Sequence, residues 1–333
     1  MNDQTLDQKV QADPILPRIL QEIAQAQEGT LIRQGLIKKF EEESKKNDGK
    51  SHKLLVYMTK MSHPRNANSI NPDDIAPIGS ILQSFDGAEV IDLFIQSPGG
   101  DGNTAEKVVD MCRAYLSDKG KLRVIIPNKA KSAATLIALG ADEIVMGYSS
   151  ELGPIDAQIP INASGIVQFI SAQSFIDARD ELLKKTHEAI HENKEYQGYL
   201  QLLTTVNTPF VKECERSMAF ARDIASKWLD KYMLKSKIKD AAKRKKLAEA
   251  IASKLSSAEK YLSHGRMINA NSIMDDDDLK KLEIRQLQKN DPLWHLLWEI
   301  YVRSEVYLGL NQNPQQIKAK LFESSSSSLT VVG

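Results

Sequence analysis

The stretch that decides the fold runs from Leu93 to Asp156 and opens with an apolar run and a turn, Leu93-Phe94-Ile95-Gln96-Ser97-Pro98-Gly99-Gly100. The apolar run predicts a buried strand, and Ser-Pro-Gly-Gly predicts a turn after it. A helix is expected next, with Asn103 or Thr104 as its N-cap. The apolar face of that helix would consist of Val108, Val109 and Met111.

Two further apolar runs follow in the same stretch. The run from Leu122 to Ile126 leads to Lys131-Ser132-Ala133-Ala134-Thr135, where a helix is predicted to begin. The run from Glu143 to Met146 leads to Leu152-Gly153-Pro154-Ile155-Asp156. The stretch therefore contains two strand–turn–helix units, and the second has a serine at the start of its helix.

The two turns have complementary chemistry. Glycines at 99 and 100 leave the backbone N–H groups open to an approaching oxyanion, because no Cβ stands in the way. Ser132 lies at a helix start, where unpaired N–H groups and the helix dipole favour developing negative charge. On adjacent parallel strands the two turns would place a nucleophile opposite an oxyanion hole. Taken singly, each motif is more typical of an ordinary turn or cap.

The order Ser-Pro-Gly-Gly-Asp-Gly, then Ala-Lys-Ser-Ala-Ala-Thr-Leu-Ile-Ala-Leu-Gly-Ala-Asp-Glu-Ile-Val-Met, then Leu-Gly-Pro-Ile-Asp-Ala-Gln resembles the serine dehydrogenase proteinase family. That family belongs to the class of the Clp protease proteolytic subunit and signal peptide peptidase A. The resemblance is dense from about Leu54 to Ile159. It implies an α/β fold of the Clp/crotonase type, a stack of ββα units with helical N- and C-terminal extensions.

The resemblance also implies roles for particular residues. Ser132 corresponds to the nucleophile, and the N–H groups of Gly99 or Gly100 and of Ala133 correspond to the oxyanion hole. Late in the chain, Ser263-His264-Gly265-Arg266 resembles a further family element. We interpret His264 there mainly as part of a structural turn in which glycine ends a helix, since no general-base context surrounds it, and a catalytic His264 stays open as the minority alternative.

The general base is harder to predict. Clp protease has a histidine about two dozen residues after its serine, where this chain has Pro154-Ile155-Asp156 and no histidine. Signal peptide peptidase A uses a lysine some fifty residues downstream, and Lys184 follows Ser132 by 184 − 132 = 52 residues. A helical wheel places Lys184 opposite the apolar face of its helix, so Lys185 and His187 stay open as alternatives. We predict a Ser132–Lys184 dyad, in which burial would lower the lysine pKa.

Two classes of function remain open on this basis. The first is an ATP-independent serine peptidase that forms an acyl-enzyme on Ser132. The alternative is a non-proteolytic protein of the Clp/crotonase fold that binds an acyl thioester or serves as an assembly scaffold. The peptidase is favoured because a crotonase would need no serine at the start of that helix. No Walker A motif is present, so unfolding energy would have to come from a partner.

Composition limits the partners and the location. The 333 residues include 44 basic and 44 acidic side chains, and this zero net charge argues against general binding of nucleic acid. The only cysteines, Cys112 and Cys214, indicate a reducing compartment rather than a disulfide framework. We predict a cytoplasmic homo-oligomer that acts on a peptide or protein, with no membrane span, cofactor or metal.

Four regions are predicted along the chain. Residues 1–50 form a helical arm whose charged end, from Glu41 to Lys53, is expected to be a linker. Residues 51–200 form the Clp/crotonase-like catalytic core, and residues 201–323 form a helical region. Residues 324–333, which begin with five serines, are expected to be a disordered tail.

Overall fold

The structure is a computed structural model that describes residues 15–24, 29–62, 65–163, 166–261, 263–309 and 318–332. The strands are β1 (His52–Thr59), β2 (Ala88–Gln96), β3 (Leu116–Ile126), β4 (Lys129–Ala130), β5 (Glu143–Met146), β6 (Glu151–Leu152), β7 (Gln158–Ala163), β8 (Ile166–Ser171), β9 (Ile284–Gln286), β10 (Lys318–Glu323) and β11 (Ser328–Val332).

Thirteen α-helices lie within the described residues. They are α1 (Ile15–Ala24), α2 (Gly29–Asp48), α3 (Arg65–Asn68), α4 (Ile75–Leu82), α5 (Gly102–Ala114), α6 (Ala133–Leu139), α7 (Ala172–His191), α8 (Gln197–Thr204), α9 (Thr208–Lys231), α10 (Ala241–Leu255), α11 (Ala258–Tyr261), α12 (Ala270–Met274) and α13 (Pro292–Gly309). Short 3₁₀ turns cover Pro72–Asp74, Gln83–Phe85 and Leu279–Lys281.

A seven-stranded sheet in the order β11-β10-β1-β2-β3-β5-β9 forms the centre of the fold. Strands β1, β2, β3, β5 and β9 run parallel to one another, whereas β10 is antiparallel to β1 and β11 is antiparallel to β10. Two small sheets stand apart from it, the parallel pair β4–β6 and the hairpin β7–β8. The mixed α/β architecture predicted from the sequence is confirmed.

Both faces of the central sheet are covered, which explains why its strands are unbroken apolar runs rather than alternating ones. On β1, Leu55 and Tyr57 belong to the core beneath α4, α5 and α6, while Val56 and Met58 belong to the core beneath α2 and α13. All four side chains are fully buried. The predicted strands at Leu54 to Met58, Leu93 to Ile95, Leu122 to Ile126 and Glu143 to Met146 are present.

The expected tail differs from the structure. Residues 318–323 and 328–332 form the hairpin β10–β11, which joins the central sheet beside β1. The serines form its turn, in which Ser324 N–H donates to the Ser327 carbonyl oxygen at 2.8 Å. Composition alone misled because Ser324 is buried and Leu321 and Phe322 anchor the hairpin in the cores. The prediction of a disordered tail is therefore wrong for 324–332, and Gly333 lies outside the described residues.

An ion pair attaches this hairpin to the rest of the fold. The ammonium of Lys320 on β10 lies 2.6 Å from Asp74 Oδ1 and donates to the Ser69 carbonyl oxygen at 2.7 Å. The Tyr57 hydroxyl donates to the other oxygen of Asp74. Lys320 and Asp74 are about 1% exposed, so each charge depends on its partners for compensation.

Other predicted boundaries also change. The arm contains the two helices expected from its apolar spacing, but α2 continues to Asp48 and replaces most of the predicted linker. Residues 1–14 of the arm lie outside the described part. Asp101, rather than Asn103 or Thr104, caps α5 by accepting from Thr104 N–H at 2.7 Å. The region 201–323 contains α9, α10 and α13 but also contributes β9 and β10 to the sheet.

Within the described ranges, no helix combines the length and the apolar character that crossing a membrane requires.

Candidate functional site

The candidate site lies where β2 and β3 end, the edge at which parallel α/β sheets usually bind ligands. The chain after β2 pairs with the chain before Ser132: Ser97 N–H donates to the Lys129 carbonyl oxygen at 3.0 Å, and Lys131 N–H donates to the Ser97 carbonyl oxygen at 3.0 Å. The two turns singled out in the sequence are therefore neighbours in space.

Ser132 occupies a strained turn directly before α6. Its φ is +49° and its ψ is −117°, and it is one of two non-glycine residues with positive φ in the described chain. Although it occupies the N-cap position, its side chain does not cap the helix. A strained backbone of this kind persists only when the surroundings enforce it, and such residues cluster at functional sites. The hydroxyl is left available for chemistry.

The glycine turn packs directly against Ser132. A Cβ placed on Gly99, whose φ is +96°, would lie 2.6 Å from Ser132 Cβ. A Cβ placed on Gly100 would lie 2.2 Å from the carbonyl oxygen of Ile70. Ile70 holds the turn from the other side, because its N–H donates to the Gly99 carbonyl at 2.8 Å and its carbonyl accepts from Asp101 N–H at 2.9 Å.

The backbone donors of the turn are not equivalent. Gly99 N–H is already engaged, since it donates to Ser97 Oγ at 3.1 Å. Gly100 N–H and Ala133 N–H donate to no atom of the described residues. Of the three predicted oxyanion-hole donors, Gly100 and Ala133 are therefore available and Gly99 is not.

A cavity of about 810 Å³ opens in front of these groups, and Ser132, Gly99, Gly100, Ala133 and His264 all line it. Its apolar wall includes Leu136, Ile155, Phe169 and Phe220, and its charged rim includes Asp101, Glu213 and Arg216. This volume lies in the range of ordinary ligand sites, which are mostly apolar with a few placed polar groups.

His264, which lines this cavity, pairs with the buried Asp156. His264 Nδ1 lies 2.7 Å from Asp156 Oδ1, and the side chains are 13% and 2% exposed. Burial alone would raise the pKa of Asp156, but the hydrogen bond and the charge of His264 lower it below its usual range. A histidine held through Nδ1 by a carboxylate presents Nε2 outward. No hydrogen bond joins His264 to Ser132 in the described residues.

The residues predicted as the base lie on α7 and do not line the cavity. The side chain of Lys184 is 74% exposed, and its ammonium lies 3.9 Å from Glu188. Lys185 is 48% exposed and pairs with Glu181 at 2.6 Å, and His187 is also exposed. In the single chain, the structure therefore does not bring Lys184, Lys185 or His187 together with Ser132.

The part of the chain that the structure describes contains no group of three or more histidine, cysteine or acidic side chains that could hold a metal ion. Three of the four aspartates from Asp275 to Asp278 form ion pairs with lysines. The carboxylate of Asp276, for example, lies 2.8 Å from Lys254 and 2.6 Å from Lys260.

A comparison with protein families matches residues 72–253 to the ClpP-like SDH-type serine proteinases. The match covers more than half of the chain and includes Ser132, both glycines and Asp156. The chain belongs to this serine proteinase family. His264, by contrast, lies outside the matched residues.

Two uncharacterized proteins of Methanocaldococcus jannaschii are similar to parts of this chain. One is 37% identical over 94 residues, which cover 28% of this chain and 32% of the relative. The other is 45% identical over 69 residues, which cover 21% of this chain and 23% of the relative. The matched segments thus span at most about a third of either relative.

Solved structures give weaker likenesses. A mutant of the 1510-N membrane-bound stomatin-specific protease is 14% identical with a TM-score of 0.33, covering 66% of this chain and 92% of that chain. A ClpP1 mutant from Listeria monocytogenes is 12% identical with a TM-score of 0.33, covering 73% and 94%. Scores this low leave residue correspondences undefined.

Sequence reasoning kept a catalytic His264 only as a minority alternative and did not connect it with Asp156. Both residues belong to motifs of the family resemblance, but they are 108 positions apart. They meet because the segment around His264 pairs with β6. Leu152 N–H donates to the Ile268 carbonyl oxygen at 2.9 Å, and Ile268 N–H donates to the Leu152 carbonyl oxygen at 3.1 Å. One isolated antiparallel bridge has no pattern that a sequence would reveal.

Proposed function

We propose that the protein is an ATP-independent serine peptidase in which Ser132 is the nucleophile, His264 is the general base and Asp156 orients His264. The observation that carries the proposal is that Ser132, whose hydroxyl does not cap the helix, lines the same cavity as His264, and that Asp156 holds His264 from behind the lining. Lys184 is the alternative base, and it would need a neighbouring subunit to cover α7.

The proposed reaction follows from these groups. Ser132 Oγ attacks the peptide carbonyl carbon while its proton passes to His264 Nε2, and Asp156 stabilises the imidazolium that forms. The carbonyl oxygen becomes an oxyanion that accepts from Gly100 N–H and Ala133 N–H. The C–N bond then breaks, and the leaving amine takes the proton from His264. Water repeats the sequence on the acyl-enzyme and releases the acid.

His264 must approach Ser132 for the first proton transfer. Catalytic hydrogen bonds are often long or absent before substrate binds, so a missing contact does not argue against the assignment. The ring is already held at Nδ1 by Asp156, and the proposal requires the loop to bring Nε2 within hydrogen-bond reach of Ser132 Oγ when substrate binds.

The test is labelling by a fluorophosphonate probe, which reacts with activated serines, together with peptidase assays. Wild type should be labelled and Ser132→Ala should not. His264→Ala should slow labelling and turnover by about 10²–10⁴-fold, the usual contribution of a general base. Lys184→Ala is the matched control variant, and the probe should label it at the wild-type rate.

Two outcomes would change the proposal. Slow labelling of Lys184→Ala beside full labelling of His264→Ala would move the role back to Lys184. An unlabelled, correctly folded wild type would favour the non-proteolytic alternative. The substrate is proposed to be a peptide or an unfolded protein, the protein is proposed to be a homo-oligomer, and its cytoplasmic location stays a prediction.

A further inference from the structure

Lys131, the residue before the proposed nucleophile, is almost buried, with a side chain only 10% exposed. Its ammonium donates to the Leu152 carbonyl oxygen at 3.1 Å and to the Arg266 carbonyl oxygen at 3.2 Å, with Gly265 at 3.5 Å. Glu151 lies 3.1 Å away and balances the charge. The ammonium of Lys131 therefore donates its hydrogens to acceptors whose positions are fixed by the fold.

These acceptors belong to the two segments that carry the proposed base and its partner. Gly265 and Arg266 directly follow His264, and we name residues 263–268 the base loop. Leu152 lies on β6, four residues before Asp156. The backbone of Lys131 in turn fixes the position of Ser132. One side chain therefore connects the nucleophile turn to the base loop and to the strand that leads to Asp156.

The path of the side chain restricts its movement. It runs so close to Gly153 that a Cβ on that residue would lie 2.7 Å from Lys131 Cδ. Burial lowers the pKa of Lys131, while Glu151 acts in the opposite direction. A lowered pKa is common in lysine bases, but the ammonium here donates to main-chain carbonyls and lies away from the cavity lining. Lys131 is therefore unsuited to accept the proton of Ser132.

We propose that Lys131 is a positioning residue that holds the base loop in register with the nucleophile turn. Without it the Arg266 carbonyl loses this ammonium donor and the Leu152 carbonyl keeps only the N–H of Ile268. The base loop is then held only by its pairing through Ile268 and by the His264–Asp156 contact, among the described residues. A displacement of about 1 Å can cost on the order of 10²-fold in rate. This inference rests on the proposed function of Ser132 and His264.

Lys129 provides a matched control. It pairs with the same carboxylate, since its ammonium lies 3.5 Å from Glu151, but its side chain is 45% exposed. No hydrogen bond to a carbonyl of the base loop is formed by Lys129 within the described residues. Lys131→Met and Lys129→Met each remove one charge beside Glu151, and only the first removes the connection to the base loop.

The experiment measures fluorophosphonate labelling rates from pH 5 to 9, with and without added imidazole. Lys131→Met should react about 10²-fold more slowly than wild type, whereas Lys129→Met should react within about twofold of it. Imidazole should restore part of the rate in Lys131→Met, as in His264→Ala, because a diffusible base replaces a misplaced one. Thermal unfolding verifies that each variant is folded.

Three outcomes would contradict either the positioning role of Lys131 or the proposed function of Ser132 and His264. Wild-type labelling of a folded Lys131→Met overturns the inference. Slow labelling that imidazole does not restore, while it restores His264→Ala, also overturns it, because Lys131 would then support only the Ser132 turn. Full labelling of Ser132→Ala or His264→Ala would instead contradict the proposed function. If Lys131→Met does not fold, Lys131→Arg replaces it, since the planar guanidinium keeps the charge but changes the donor geometry.

Discussion

Residue 99 requires glycine for two independent reasons. Its φ of +96° is one that L side chains rarely adopt, and a Cβ would lie 2.6 Å from Ser132 Cβ and from the Lys131 carbonyl oxygen. Gly99→Ala should therefore disturb the nucleophile turn and lower the labelling rate by about 10²-fold or more. Denaturant unfolding should also show a loss larger than the roughly 1–2 kcal/mol expected for the φ alone.

Gly87 is a control that separates the effect of a positive φ from the effect of the steric contact with Ser132. Its φ is +73°, but a Cβ there would meet nothing within 4 Å. Gly87→Ala should lose only the conformational part of the stability, about 1–2 kcal/mol, and should keep the wild-type labelling rate. Equal labelling of the two variants would show that contact between residue 99 and Ser132 does not matter to the site.

At this scale, part of the site could be predicted from sequence. The serine at a helix start and the paired glycines have local signatures, and the structure places them around one cavity. The engaged N–H of Gly99 could not be foreseen, because it depends on the rotamer of Ser97. Spacing pointed to Lys184, whereas proximity to the cavity favours His264, which depends on a tertiary contact that spacing does not encode.

At the scale of elements, a buried ion cluster joins three parallel strands. Asp92 on β2 lies 2.7 Å from His52 Nδ1 on β1 and 2.6 Å from Arg123 Nε on β3. Burial would raise the pKa of Asp92, but Arg123 and His52 together lower it. Since the carboxylate has no exposure, its stabilisation depends wholly on these partners.

The pH dependence of the folding stability follows from the lowered pKa of Asp92. A carboxylate with a lowered folded pKa stabilises the protein above its unfolded pKa, about 3.9, and loses this effect as pH falls through the folded value. Asp92→Asn should therefore cost about 3–5 kcal/mol near pH 7. The difference from wild type should shrink below about pH 4 in urea unfolding, while the exposed control Asp110→Asn should change little. A difference that stays constant with pH would exclude this linkage.

Some secondary-structure elements could be predicted from the sequence and others could not. Strands covered on both faces appear as unbroken apolar runs, so β1, β2 and the end of β3 were identifiable. The hairpin β10–β11 was not, because its serine-rich composition is typical of disorder and its partner β1 is remote in sequence. Helix α2 continues through a charged segment because its other face packs Ile37 and Phe40 into the core.

At the scale of the whole molecule, we predict assembly into a homo-oligomer. Four large apolar side chains are exposed on α7 and α8, namely Leu183, Ile190, Leu200 and Leu202. Light scattering at micromolar concentration should give a mass above the 37.2 kDa of one chain. The double variant Ile190→Lys/Leu202→Lys should shift the mass toward one chain, because charges oppose burial of this surface.

Met274→Lys is the control for that experiment, since Met274 is 46% exposed but lies on α12. It should keep the oligomer. A clean monomer for the wild type would contradict the prediction. An unchanged oligomer in the double variant would mean that a different surface mediates assembly.

The late hairpin sets an order of events during translation. Lys320 neutralises Asp74 across 246 residues and holds the Ser69 carbonyl oxygen beside the cavity wall. Ser69 and Asp74 therefore leave the ribosome well before the strand that holds them, although domains usually fold as they emerge. We expect the nascent chain to carry its serine without a finished cavity until residues 318–332 have been made. If the proposed function is correct, the peptidase would gain activity only after its own chain has nearly left the ribosome.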